Sequence, residues 1–359
     1  MARQIAETPS AVLAPAESAA RARRDGLRLV ALSVLLIAVS AFAVSVGAIS
    51  LPFGQMLQSL IGHNSLPADE RTILLSIRLP RVLAAAMTGS ALSVSGLLFQ
   101  GLFRNPLADP YVIGSSGGAV LGASIGVFLL PSISVAGFGA TALFAFGGAT
   151  CAILLVYSLA SVQGRTPVVA LLLSGFAVST MLSYSSYFLE VLDHDFGTGM
   201  RVLTSWLHGT ISQPTWPQLT IVALMLLIGL AGSAPLARDL NTLALGEEYA
   251  THLGLHVQKT RIEVILIGSV LTAAAVALGG LISFVGLMVP HTMRILLGPD
   301  HVRLLPFTAL AGAIFLLIAD TVARTIIAPA ELPVGVLTAV LGGPFFLYLL
   351  RKVKDEVFQ

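Results

Sequence analysis

Three sets of side chains in this sequence have types and spacing that could do chemistry. Gly114-Ser115-Ser116-Gly117-Gly118 satisfies Gly-x-Ser-x-Gly, the spacing that lifts a serine hydroxyl from a sharp strand-to-helix turn in hydrolases. A nucleophile of that kind needs a base within hydrogen-bond reach. Here a proline-containing loop precedes the glycine where the motif needs a strand, and His291 is a base by identity alone, so an intramembrane serine protease is a minor alternative. The second set is the 7 histidines. His194 and His208 lie in one segment and either could offer a ring nitrogen to haem iron, but neither has ligand-pair spacing. Asp193-His194-Asp195 also reads as a solvated loop and His208 as a wall residue. His63, His252, His256 and His301 read as surface residues, and His291 as a structural hydrogen-bonding group. The third set is the arginines, whose planar guanidinium forks hold carboxylates or phosphates through paired hydrogen bonds. Arg201 would suit an anionic cargo such as a haem propionate, or a lipid phosphate.

Two other chemistries lack their residues. An ATP site of the phosphate-loop kind needs Gly-x-x-x-x-Gly-Lys-Ser/Thr, and the one Lys-Thr pair, Lys259-Thr260, follows Gln258. No cofactor or metal site is expected in the chain. Ion-coupled secondary transport needs acids inside the membrane, whereas Glu190 and Asp320 fall near span ends.

The elements that must position these residues follow from composition. The 359 residues are 56% hydrophobic and 11% charged, with a mean hydropathy of +0.90, so a water-soluble fold would expose too much apolar surface. A bilayer-crossing helix needs about 20 apolar residues, which predicts ten spans: 28–48, 82–103, 111–130, 137–160, 167–190, 216–234, 260–279, 281–297, 303–323 and 333–350. Positive charge is retained on the cytoplasmic side. With both termini inside, fifteen of the 20 basic residues are cytoplasmic; Arg71, Arg78, Arg81, Arg201 and Arg324 are external. Residues 1–26 read as a disordered cytoplasmic tail and 27–359 as one membrane domain. The first span exceeds the 7–15 residues usual for a signal-peptide core. Cys151, the one cysteine, reads as a buried small hydrophobe. Nothing points to nucleic acid.

Within these spans, Gly114, Gly118, Gly122 and Gly126 form a ridge that lets a neighbouring backbone approach closely. Residues 279–294 interrupt an apolar run with glycines, Pro290 and His291, and such irregularity at membrane depth survives only against protein or a wet path. That is a transporter's feature. Residues 89–104 and 279–294 share Gly, Ser, Gly, Leu and Arg at one offset, a match that composition alone could produce. The loop Arg104-Asn-Pro-Leu-Ala-Asp-Pro110 places Asp109 to cap the next helix. Residues 240–255 lie on the cytoplasmic side with Leu243, Leu245, Tyr249, Ala250 and Leu253 able to share one side of a short helix, punctuated by Gly246 and Gly254. Such a face either covers helix ends or fits a partner's groove.

Along nearly all its length after the 1–26 tail the chain resembles the membrane subunits of the ABC importers for vitamin B12, ferric siderophores and haem. The matching stretches are Arg78-Leu-Pro-Arg81, Gly89–Ala119 with the 104–110 loop, Trp206-Leu-His-Gly209, Leu243–Gly254, Gly280–Arg294, Ala319–Arg324 and Glu331-Leu-Pro-Val-Gly335. The resemblance implies an all-α permease of the type II importer fold with ten membrane helices. It implies a homodimer around a central pathway in a bacterial inner membrane, two ATPase subunits that bind ATP and Mg inside, and a periplasmic substrate-binding protein outside. Residues 240–255 would be the coupling helices, with contacts from Leu243, Leu245, Gly246, Glu247, Tyr249, Ala250, Leu253 and Gly254. Arg78, Arg81 and Arg324 would receive a carboxylate from each lobe of the binding protein. The cargo reading is haem, with Arg201, His194 and His208 in the substrate pathway, and ferric siderophore or vitamin B12 as alternatives.

Overall fold

The computed structural model describes residues 15–47, 54, 58, 67–161, 166–192, 197–211, 213–328 and 330–357. Helix α1 spans Pro15–Ser45, and α2, Ala68–Leu102, contains a π-helical stretch over Ile73–Arg78. A 3-10 turn over Pro110–Ile113 leads into α3, Ser115–Leu129. A two-stranded antiparallel hairpin follows, β1 Ser134–Val135 and β2 Phe138–Gly139. Then come α4, Ala140–Ala160, α5, Val168–Leu192, and the short α6, Thr198–Leu207. The rest is α7, Trp216–Leu243, α8, Glu247–His252, α9, Val257–Gly279, α10, Val285–Leu297, α11, His301–Thr325, and α12, Val334–Val357.

Among the described residues seven helices are long and apolar enough to cross a membrane: α1, α2, α4, α5, α7, α9 and α11. Three shorter apolar helices, α3, α10 and the first part of α12, coincide with the other expected spans. Two boundaries shift. The helix over residues 15–26 belongs to α1 where a disordered tail was expected, and Asp25 on it holds Arg303 of α11 through two 2.6 Å hydrogen bonds. Residues 68–81, expected outside a span, extend α2.

α2 is the hub. The apolar window of α2 is 83% buried within the chain, against 11% for α1 and 17% for α5, so α1 and α5 leave most of their surface to surroundings outside the chain. Glycine makes the hub possible. A Cβ on Gly96 would land on the Gly286 carbonyl of α10, and one on Gly89 on the Gly312 carbonyl of α11. Gln100 then donates from its amide to the Leu287 carbonyl at 3.1 Å, and Ser95 to the Gly268 carbonyl of α9 at 2.8 Å. Interhelical contact by small residues and polar side chains is how membrane helices associate where lipid is as apolar as leucine. The α3 ridge works the same way: Gly118, Gly122 and Gly126 meet backbone of Gly148, Phe144 and Ala140 on α4.

Candidate functional site

At the end of the bundle where α2 begins, the three expected docking arginines come together, but each is already held. Arg78 is buried and donates to the carbonyls of Val44 and Ser45 at 3.0 and 3.1 Å. Arg324 donates to the Ala43 carbonyl. Two guanidinium groups therefore satisfy the orphan carbonyls at the end of α1, favourable cations at a negative helix end. Arg81 grips Asp320 with Nε and Nη2 and Glu331 with Nη1 at 2.7 Å. Asp320 is only 1% exposed and Arg81 13%, so this is a buried pair whose charges need each other. The direct bridge of Asp320 goes to Arg81 on α2 and not to Arg324, four residues on along its own helix. The counter-charges Asp320 and Glu331 stand in motifs read from sequence, yet their pairing spans about the whole membrane domain and leaves no local trace.

Nearby, three quoted motifs meet. Gly280 and Phe284 take left-handed backbone angles, so the interruption of the 279–294 run is a five-residue connection between α9 and α10. Its Leu281 amide donates to the Trp206 carbonyl at 3.3 Å, and the Gly335 amide to the Gly209 carbonyl at 3.1 Å. A Cβ on Gly280 would strike the Trp206 carbonyl, and one on Gly335 the His208 carbonyl. The irregular backbone is thus packed against the end of α6 and the start of α12, as a low-dielectric setting demands.

α6 carries the expected pathway residues. Arg201 is exposed, its Nε donating to the Gly197 carbonyl at 2.9 Å, and it lines a cleft of about 470 Å³ with Thr141, Ser205, Trp206, Thr210 and Gln218. His208, also exposed, is not in that lining; its Nδ1 lies 2.7 Å from the Thr204 carbonyl, which assigns the proton to Nδ1 and leaves Nε2 as the ligating nitrogen. His194 lies outside the described residues, as does His63. No cluster of metal-binding side chains forms among the described residues.

At the opposite end α7 stops at Leu243, and α8 is isolated between Gly246 and Gly254, both in left-handed backbone geometry. The expected apolar face splits. Leu243 and Ala250 are buried, while Leu245, Tyr249 and Leu253 stand 63%, 69% and 68% exposed among the described residues. The reason is that Leu243 belongs to α7, before the turn at Gly246 resets the direction of the chain. Glu247, 46% exposed, ties α8 to the bundle: its Oε1 accepts from Arg261 of α9 at 2.8 Å and Arg104 of the 104–110 loop at 3.5 Å. Arg261, nearly buried, donates in turn to the Thr166 carbonyl at 2.6 Å. α8 is therefore a rigidly based knob with an unpartnered apolar crown. Asp109 caps the 3-10 turn by accepting from the Tyr111 amide at 2.9 Å; burial pushes its carboxyl up to about 6. His301, expected on the surface, is buried and bonded through Nδ1 to Asn241 at 2.8 Å.

The serine motif is structural. Ser116 shares a 3.3 Å hydrogen bond with Ser179, Ser115 donates to the Pro110 carbonyl, and a 3-10 turn precedes them where the hydrolase elbow needs a strand. Among the described residues no histidine bonds either hydroxyl. Cys151, expected to be buried, is exposed on α4.

Comparison with known proteins accords with this architecture. Residues 35–352 match the FecCD transport family. The chain is 44% identical over 285 residues to the cobalamin import system permease protein BtuC of Halobacterium salinarum, covering 79% of this chain and 75% of that protein. It is 38% identical over 330 residues to the hemin transport system permease protein HmuU of Yersinia pestis, covering 90% and 95%. A solved inward-facing structure of a metal-chelate type ABC transporter superposes with a TM-score of 0.77 at 32% identity, covering 91% of this chain and 99% of that one.

Proposed function

The chain belongs to the FecCD transport family and is a permease subunit of an ABC importer, and from that premise we propose how it is powered and what it carries. Two copies form a pathway in a bacterial inner membrane, with all ten apolar helices crossing it and both termini in the cytoplasm. Two ATPase subunits, which bind the ATP and Mg, receive the α8 knob; the crown of Leu245, Tyr249 and Leu253 is the observation that carries this reading. Glu247 and Gly246 serve it indirectly, Glu247 by tying α8 to Arg261 and Arg104 and Gly246 by the turn it permits. Leu243, Ala250 and Gly254 set its base.

A loaded binding protein docks on the face of Arg78, Arg81 and Arg324. Its carboxylate exchanges with Glu331, the exposed partner of Arg81, so docking trades one ion pair for another and does not uncover a buried charge. ATP-driven closure of the ATPase pair draws the two knobs together, and the packed connection at 280–284 transmits the shift between α9, α10, α6 and α12.

The cargo is a bulky tetrapyrrole or ferric chelate, with haem the first candidate. Nε2 of His208 supports haem by offering iron a transient axial ligand, and His194, in the same external segment of the sequence, is the second candidate ligand. Cobalamin is the second reading, favoured by the 44% identity to a cobalamin permease. The test is ATP hydrolysis by the complex in liposomes, with haem, a ferric siderophore or cobalamin each presented by the cognate binding protein. Stimulation by haem alone supports the first reading; stimulation by another cargo and not haem overturns it while leaving the permease assignment in place.

A further inference from the structure

Arg201 has a different neighbourhood from the one a cargo contact needs. The cleft it lines lies between the start of α4, α6 and the start of α7, floored by Ala277 and Leu278 of α9. It adjoins a second cavity of about 240 Å³ walled by Phe138, Leu143 and Phe146 on one side and Ile221, Val222 and Met225 on the other. Ala142 and Ala277 belong to both walls, so the two lie side by side. The composite groove is polar at its mouth, with Arg201, Ser205, Thr210 and Gln218, and wholly apolar in its tail.

That gradient runs along α4 and α7. At 1.5 Å of rise per residue, Phe146 lies about 9 Å below the start of α4 and Met225 about 14 Å below the start of α7. The Trp216 indole, at that same helix start, donates to the Leu75 carbonyl of α2, which places the mouth at the end of the bundle that carries Arg81. The Gln218 amide donates to the Gly137 carbonyl at 2.6 Å and holds the hairpin against α7. Among the described residues the guanidinium of Arg201 is fastened through Nε alone, which leaves its two terminal nitrogens without a partner there, and the half-buried Trp206 indole N–H in the same wall likewise has no acceptor among them.

We propose that this groove is a binding site for one anionic phospholipid of the outer leaflet, its phosphate held by Arg201 at the mouth and one acyl chain laid between α4 and α7. The occupant is amphipathic because the groove is: a soluble anion would leave the apolar tail empty, and a neutral hydrocarbon would leave the fork unpaired. Arg201 is thereby a lipid ligand and not a cargo contact. Since lipid binding needs neither cargo nor ATPase, its test is independent of the transport reading.

The chain has 2 tryptophans, so W216F leaves Trp206 in the cleft wall as the sole indole. The full chain is placed in phosphatidylcholine bilayers containing a minor fraction of either brominated phosphatidylglycerol or brominated phosphatidylcholine, and quenching of Trp206 is followed. Brominated phosphatidylglycerol should quench at several-fold lower mole fraction than brominated phosphatidylcholine. R201Q should erase that preference, R201K should retain much of it, and A142L, which narrows the tail, should weaken it with Arg201 intact. Soluble glycerol 3-phosphate should not displace the lipid. Equal quenching by the two lipids, a preference that survives R201Q, or displacement by glycerol 3-phosphate would overturn the proposal.

Discussion

Arg81 sits where a docking role and a structural role coincide, and the two can be separated experimentally. Removing its side chain strands Asp320, 1% exposed, as an unpaired buried charge, a loss that costs about 3–5 kcal/mol in comparable buried pairs. R81A should therefore lower the thermal midpoint of the detergent-solubilised chain markedly. The double variant R81A/D320N removes both charges and should recover most of that stability without recovering affinity for the binding protein. Recovery of both would show that docking does not use Arg81. Asp109 gives a pH signature of opposite sense to the usual carboxylate. Its carboxyl is raised from 3.8 to about 6, so between those values the folded chain holds more protons than the unfolded one, and stability falls as pH rises through that window. D109N should flatten that slope in denaturation measured from pH 4 to 6.5; an unchanged slope would remove Asp109 as its source.

Among the elements, α2 owes its central position to glycine. G96A drives a methyl into the Gly286 carbonyl and should destabilise the chain by about 1–3 kcal/mol through overpacking. G147A on α4 meets nothing within 4 Å and should be neutral or stabilising by up to about 1 kcal/mol, since glycine is costly in a helix. Comparable melting shifts for the two would contradict the close-packed hub. For α8, the exposure of Tyr249 and Leu253 separates folding from assembly. Y249A/L253A should leave the melting temperature of the isolated chain within a degree or so while abolishing co-purification of the ATPase. R261A should instead loosen the knob, because it frees Glu247 and the Thr166 carbonyl together. Retained ATPase binding in Y249A/L253A would move the coupling contact elsewhere.

Taken whole, the molecule is a helical bundle that leaves most of the apolar surface of α1 and α5 outside its own packing. Cys151, the single cysteine, projects from the middle of α4 and should react in proteoliposomes with a membrane-permeant maleimide and not with a charged impermeant one; labelling by both would place α4 against water. Much of this was legible beforehand. Hydropathy located the seven long apolar helices and the three shorter ones to within a few residues at most ends, because a membrane helix must satisfy its own backbone over a set length of apolar chain. The glycine ridge of α3, the capping by Asp109 and the isolated segment around Gly246 were legible for the same reason: each is a local demand of sterics or hydrogen bonding on a few consecutive residues. Partnerships were not legible. Nothing in the linear order says that Arg81 meets Asp320 and Glu331, that Arg78 and Arg324 serve the carbonyls of α1, that Glu247 pairs with Arg261, that His301 is buried against Asn241, or that Cys151 points out. A side chain's type sets which bonds it can make, but which partner lies within 3 Å depends on how helices far apart in sequence are packed, and that packing was decided by the tertiary structure.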